Sequence, residues 1–214
     1  MIPLLHDFEG QTVLVVGGGA VGARKARRFA REAEVVVVSP DFADADFGGA
    51  ERVRADPDPE SVGEWVVRTD PALVVAATDD AAVNDAVEAA ARERNILVNR
   101  ADHAGERDIG CVVVPATVRD GSVVVSVSTG GRSPALSRAL RERIEPVVAD
   151  AGAMADLTAD LRADLKERLP PDERRAVMRD VVRDEELWKG LDSGSTKPQQ
   201  RVSDVISDVT GDHS

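Results

Sequence analysis

Apolar residues in the first half of the chain come in short blocks separated by segments with helical spacing. Residues 12–16 are apolar, β-branched and closed by glycines, which predicts a strand buried on both faces of a parallel sheet. A helical stretch follows from Ala20 to about Glu32, then strands at 34–38 and, more weakly, 52–55. Residues 73–77 predict a fourth strand that stops at Thr78-Asp79-Asp80. Val83, Ala86, Val87, Ala90 and Ala91 then repeat at helical spacing, and 96–98 predict a fifth strand. Strands alternating with helices imply βαβ units and a mostly parallel sheet, an α/β class fold.

The pattern changes beyond residue 110. Two valine-rich runs, 112–114 and 123–127, flank Arg119-Asp120-Gly121-Ser122, a turn signal between paired strands. Ser133-Pro134 is an N-cap and first-turn pair opening a helix to about Ala149. From Asp150 the reading is almost wholly helical, interrupted at Pro170-Pro171. The run Asp192-Ser193-Gly194-Ser195-Thr196-Lys197-Pro198 reads as a linker, and its flanks, residues 191–214, as a flexible tail. The expected organisation is 1–110, 111–149, 150–190 and 191–214.

The strongest chemical signal is the turn Gly17-Gly18-Gly19-Ala20-Val21-Gly22 between the first strand and its helix. Gly17 permits the tight turn, Gly19 lets the backbone approach a pyrophosphate, and Gly22 lets helix and strand pack closely. Ala20 and Val21 supply helix-terminal amides for the phosphates. This predicts a Rossmann-type doubly wound sheet. Asp41, just past the second strand, is placed to accept a ribose hydroxyl and repel a 2′-phosphate, which favours NAD over NADP. It could equally cap or solvate a loop. Arg24 and Lys25 either help to hold phosphate or form an exposed basic face.

Ligands of such sheets bind beyond the carboxyl ends of the strands, so the segments at 76–80 and 99–103 should face the cofactor. Thr78 and Asp79 have helix capping as their first expectation and the cofactor's path as their second. No helix obviously begins at Asp102, so capping does not account for it; its carboxylate can accept a proton or hold a substrate N–H. His103 beside it is a second candidate by residue type, since imidazole is the side chain suited to proton exchange near neutral pH. The segment Ser126-Val127-Ser128-Thr129-Gly130-Gly131-Arg132-Ser133-Pro134 leads from a strand into a helix and suits an anion through its backbone amides and Arg132, or is an ordinary well-capped connection. Arg138, Arg141 and Arg143 beyond it would meet a polyanionic substrate or pair with Glu142 and Glu145.

Composition narrows the choices. A net charge of −12 argues against nucleic acid as a partner. The apolar runs are too short for a membrane span, and the N-terminus lacks the basic flank of a signal peptide. The single cysteine, Cys111, forms no internal disulfide, which fits a cytoplasmic protein. No His/Cys cluster has metal-binding spacing. Four lysines stand against 23 arginines and 39 acids, the bias of a halophilic, salt-rich host or of a high-GC genome.

Taken in order, Val15 to Lys25, Ala77-Thr78-Asp79-Asp80 with Val83-Asn84, Val98-Asn99 with Ala101-Asp102, Pro115-Ala116, Ser128 to Pro134 and Leu140 to Glu145 resemble the precorrin-2 dehydrogenase family of sirohaem biosynthesis. The resemblance runs over about residues 10–146. It implies NAD-dependent oxidation of precorrin-2 to sirohydrochlorin, with Asp102 as the catalytic residue. Asn99, Ser128, Thr129, Gly130, Arg132 and Ser133 form the expected substrate-binding set. It also implies a homodimer interleaved through about residues 111–149 and a C-terminal helical domain that helps to cover the tetrapyrrole. Some family members add ferrochelatase activity. The family's aromatic-containing segment before Pro-Ala is replaced here by Asp108-Ile109-Gly110-Cys111-Val112-Val113-Val114, and no methyltransferase domain follows, so a separate enzyme is expected to supply precorrin-2. The competing class is an NAD-sensing regulatory module, which would share the glycine turn and Asp41 but need no catalytic carboxylate.

Overall fold

The computed structural model describes residues 2–102, 111–192 and 198–211. His103 and most of the stretch after it therefore lie outside the described residues, as does 193–197 of the expected linker. The chain divides into two compact units: residues up to Val114 with Gly130–Arg132, and Pro115–Thr129 with the chain from Ser133 onward.

The first unit is a five-stranded parallel sheet in the order β3-β2-β1-β4-β5. Its strands are β1 (Thr12–Val16), β2 (Glu34–Ser39), β3 (Glu51–Arg54), β4 (Leu73–Ala76) and β5 (Leu97–Arg100). Helix α1 (Ala20–Phe29) follows β1, α2 (Val62–Thr69) precedes β4, and α3 (Ala81–Glu93) precedes β5. Successive side chains of a strand face opposite ways, and β1 buries both sets. Val13 and Val15 pack with Ala23 and Ala26 of α1, whereas Leu14 and Val16 pack with Val62 and Val66 of α2 and Val83, Val87 and Ala91 of α3. Strand order reverses between β1 and β4, which opens the crevice at their carboxyl ends.

The second unit joins an antiparallel hairpin, β6 (Ala116–Asp120) and β7 (Val123–Val127), to five helices. These are α4 (Pro134–Ile144), α5 (Ala151–Arg168), α6 (Pro171–Arg183), α7 (Glu185–Asp192) and α8 (Pro198–Thr210). Its core gathers Leu161 and Leu165 from α5, Val177 and Val181 from α6, Leu187 from α7, and Val202 and Val205 from α8. The hairpin turn rests on α5: Gly152 N donates to Asp120 Oδ2 at 2.8 Å, and Gly121 adopts φ 52°.

The structure departs from the sequence expectations at four places. Helix α2 lies in a stretch for which no element was expected. The first hairpin strand is 116–120 rather than 112–114, because Pro115 cannot donate to a ladder; Val112 instead donates its N–H to Val98 O at 2.8 Å. Helix α4 stops at Ile144, and Pro146 turns the next residues into a short 3₁₀ segment. Finally, residues 198–210 are not a fraying tail, since α8 buries two valines in the core.

Candidate active site

The glycine turn closes β1 into α1 with little room to spare. Gly17 sits at φ 117°, and a Cβ there would meet Ala77 O at 2.4 Å. A Cβ at Gly22 would lie 1.9 Å from Gly17 O, so at this point the helix meets the turn backbone to backbone. Around Gly19, by contrast, an added Cβ meets nothing within 4 Å. Gly19, Ala20 and Val21 are exposed, and Gly19 offers no side-chain cap. The first turn of α1 is therefore exposed, and its amides could receive a dinucleotide pyrophosphate. Tight glycines behind and an open one in front are what such a cradle requires.

Asp41 follows β2 and is largely exposed; its Oδ1 accepts from Arg54 Nη1 at 2.9 Å. The loop carrying it is fixed against the turn, with Ala43 N donating to Gly18 O at 2.8 Å. Lys25 is half-buried, and its Nζ donates to Asn99 Oδ1 at 2.7 Å. Asn99 is buried, and its amide donates to Val112 O at 2.8 Å, so this side chain ties β5 to its neighbours.

Thr78 and Asp79 do not cap α3. Asp80 does, accepting from Ala82 N and Val83 N. Thr78 is drawn to Asn84 instead. Its N–H and Oγ1 reach Asn84 Oδ1 at 3.2 and 2.8 Å, and Asn84 Nδ2 donates back to Thr78 O at 2.9 Å. Asp79 is exposed at the loop surface.

The same Asn84 Nδ2 donates to Asp102 Oδ2 at 3.1 Å. Arg100 grips both Asp102 oxygens, Nε to Oδ1 at 2.9 Å and Nη2 to Oδ2 at 2.7 Å. Its Nη1 reaches back to α3, to Glu88 at 2.7 Å and Asp85 at 2.8 Å. Glu88 also meets Arg92 at 2.5 Å and accepts from the Cys111 thiol at 3.3 Å. The Arg100 side chain is 2% exposed and that of Asp102 is 28% exposed, so the cation is internal and the carboxylate reaches the surface. The Arg100 guanidinium holds the Asp102 carboxyl down at about 2, against the opposing effect of burial. Burial pushes the Cys111 thiol up.

The Ser128–Ser133 loop lies at the entry of α4. Thr129 Oγ1 donates to Ser133 O at 3.0 Å and accepts from Ser133 N at 3.1 Å, closing the loop, and Ser133 Oγ caps Leu136 N. Gly130 and Gly131 adopt φ 63° and 81°, and Ser128, Gly130 and Arg132 are exposed. Arg138 and Arg141 pair with Glu142 and Glu145, at 2.9 and 3.0 Å. Among the described residues no group of three His, Cys, Asp or Glu side chains is arranged to hold a metal.

Comparison with known proteins agrees with this geometry. Residues 4–116 match the NAD(P)-binding family model, and 120–145 match the central segment of sirohaem biosynthesis proteins. The precorrin-2 dehydrogenase of Methanosarcina barkeri is 32% identical over 96% of this chain and 93% of its own length. The chain belongs to the precorrin-2 dehydrogenase family. The siroheme synthase of Pseudomonas aeruginosa is 34% identical over 94% of this chain, which spans only 43% of that longer protein. The solved structure of SirC, a precorrin-2 dehydrogenase, superposes with a TM-score of 0.67 at 24% identity, over 97% of this chain and all of that one, and establishes the shared fold. Two residues complete the network around Asp102 without having had a role from the sequence: Asn84, which stood only as part of a matching segment, and Arg100, which was not singled out. A detectable signal existed for Asn84: with Glu88 it places polar residues four apart among the apolar positions of α3.

Proposed function

We propose that this chain is an NAD-dependent dehydrogenase that converts precorrin-2 to sirohydrochlorin. The observation that carries the reading is Asp102, partly exposed at the carboxyl end of β5 and tied through Asn84 to the Thr78 loop beside the glycine turn. A nucleotide sensor would share the glycine turn and Asp41 but would need no catalytic carboxylate.

Overall, precorrin-2 loses a hydride and a proton, giving sirohydrochlorin, NADH and H⁺. NAD⁺, when bound, supplies the hydride acceptor. Gly17, Gly19 and Gly22 shape its cradle, with the amides of Ala20 and Val21 for the phosphates. Asp41 receives a ribose hydroxyl, and Thr78 and Asp79 border its path. Asp102 meets the substrate's reacting region. The exposed Ser128, Gly130 and Arg132 offer a loop suited to substrate carboxylates, and Thr129 and Ser133 keep that loop closed. Asn99, being buried, supports from beneath rather than touching substrate.

The working form is a homodimer assembled through residues 111–149. Support comes from α4, which buries no residue of its own and leaves Leu136 half-exposed, and from Val147, which is 76% exposed. No helix among the described residues is long and apolar enough to cross a membrane, and cytoplasmic operation fits this chemistry.

Anaerobic incubation of precorrin-2 with NAD tests the activity, following sirohydrochlorin and NADH by absorbance. Oxidation that persists undiminished in Asp102→Ala removes the catalytic assignment. Binding of NAD with no oxidation of precorrin-2 favours the sensor instead. Adding Fe²⁺ after oxidation shows whether the chain also inserts iron, and light scattering in solution measures the dimer.

A further inference from the structure

We propose that Arg100 is a positioning residue for this reaction, anchored by Glu88 and Asp85 so that it presents Asp102 as a fixed anion. In that role Asp102 accepts substrate hydrogen bonds and offsets developing positive charge, and does not cycle a proton. The proposal rests on the reading of Asp102 as the residue that meets precorrin-2.

Three features lead to it. First, the guanidinium is used as a fork. Nε and Nη2 clasp the two oxygens of one carboxylate, a geometry that fixes orientation as well as charge. Second, the fork cannot swing away, because Nη1 is held between Glu88 and Asp85 and the side chain is 2% exposed. Third, Asn84 fixes Oδ2 from another direction. A carboxylate with donors on both oxygens is stabilised in its charged form, and its affinity for a proton falls.

The surrounding charges agree. Helix α3 contributes Asn84, Asp85 and Glu88, with Arg92 and the Cys111 thiol behind Glu88. The loop after β4 contributes Thr78, with Asp79 and Asp80 exposed beyond it. The acids on α3 act on Asp102 through Arg100, which lies between them and its carboxylate. The positive charge that loss of hydride would leave on the macrocycle would be met by this anion, and the substrate proton would pass to water.

The test compares wild type with Arg100→Gln, Arg100→Lys, Glu88→Gln and Asp102→Asn. Each is checked for folding by circular dichroism, then measured for kcat, KM for precorrin-2 and NAD affinity. The ¹³C resonance of the Asp102 carboxyl is titrated in the cofactor-free protein. Arg100→Gln should lower kcat by about 100-fold with KM and NAD affinity within about threefold, and add an acid limb to the pH profile. Arg100→Lys keeps the charge but not the fork and should remain at least about tenfold slow. Glu88→Gln, which retains an oxygen for Arg100, should fall by about tenfold and keeps the question open to test if the Arg100 variants do not fold. The Asp102 resonance should titrate below about pH 3 in wild type and near or above pH 4 in Arg100→Gln. Folded Arg100 and Glu88 variants with wild-type kcat and pH profile, beside an impaired Asp102→Asn, would overturn the positioning role while leaving the dehydrogenase intact. A wild-type Asp102 that titrates near neutrality would overturn it too. If wild type does not oxidise precorrin-2 although the resonance shows a held anion, the functional reading fails and takes the positioning role with it.

Discussion

Adding one methyl group at Gly22 and one at Gly19 should give opposite signatures, because the turn packs on itself at the first position and opens to a ligand at the second. At Gly22 the new Cβ would stand 1.9 Å from Gly17 O and 3.0 Å from Gly17 C. Carbon–oxygen contacts settle at roughly 3.3 Å or more, so α1 must retreat by more than about 1 Å from the end of β1. Ala23 and Ala26, at 2% and 0% exposure, would lose part of their packing on Val13 and Val15. Overpacking of this kind costs about 1–3 kcal/mol, and the backbone contact puts the expected loss near the upper end. Gly22→Ala should then lower the melting temperature of the cofactor-free protein by about 10 °C. At Gly19, φ is −71° and ψ is −177°, which alanine adopts freely, and its Cβ meets nothing within 4 Å. The only structural loss in Gly19→Ala is a poorer N-cap, less than about 1 kcal/mol. The methyl nevertheless fills the space through which the pyrophosphate approaches the amides, so NAD affinity should fall about 10- to 100-fold. Thermal melts of the apo proteins and calorimetric NAD titrations measure both quantities. Gly19→Ala that binds NAD like wild type would refute the placing of the pyrophosphate, and an unchanged melt for Gly22→Ala would refute the close packing.

The pH dependence of stability reports on Asp102. Its carboxyl titrates at about 2 when folded, below the unfolded value near 4, so its contribution is present above about pH 4 and is lost as the pH falls towards 2. That contribution is up to about 2 kcal/mol, and Asp102→Asn should flatten acid melts over the same window; equal slopes for the two proteins would contradict it. Cofactor choice reports on Asp41: Asp41→Asn should narrow the preference for NAD over NADP by about tenfold, and Arg54→Glu should widen it, by direct titration of both dinucleotides. A ratio indifferent to both would place the ribose elsewhere. In the second unit, a Cβ at Gly152 would meet Asp120 O at 2.8 Å and Gly121 Cα at 2.9 Å, so Gly152→Ala should destabilise by about 1–3 kcal/mol in urea unfolding.

The sheet was legible because its strands are buried on both faces and read as unbroken apolar runs, with β1 and its glycines the clearest. Helix α2 escaped because it lies among Pro57, Pro59 and Pro71 and buries only Val62 and Val66, too little to show a period. Helix α8 carried a usable signal in Val202, Val205, Ile206 and Val209, spaced as a helix face, but the Ser-Gly-Ser-Thr run before it invited a tail reading. The residues around Asp102 were hidden for a different reason. Arg100 at the end of a strand looks like a solvated charge, and its partners Asp85 and Glu88 stand 15 and 12 positions away. Only the packing of α3 beside β5 reveals that the three meet, and linear spacing carries no trace of it.

Asn84 shows why the site should be regarded as one rigid constellation. An asparagine amide has two N–H donors and an oxygen with two lone pairs. Here the oxygen accepts from Thr78 N and Oγ1, and the nitrogen donates to Thr78 O and Asp102 Oδ2. All four capacities are spent, with the residue 1% exposed, so rotating the side chain would strand several buried polar groups at a cost of about 1–3 kcal/mol each. The separation between the loop beside the dinucleotide turn and the Asp102 carboxylate is therefore set by a single residue of α3. Arg100 fixes the orientation of that carboxylate from the other side, again from α3 through Glu88. One helix thus holds both ends of the polar side of the crevice, and a shift of α3 along β5 would misplace the carboxylate and the Thr78 loop together. In the role proposed for Asp102, preorganisation of this kind would let a weakly basic carboxylate serve hydride transfer, because its value would lie in fixed charge and direction and not in its proton affinity.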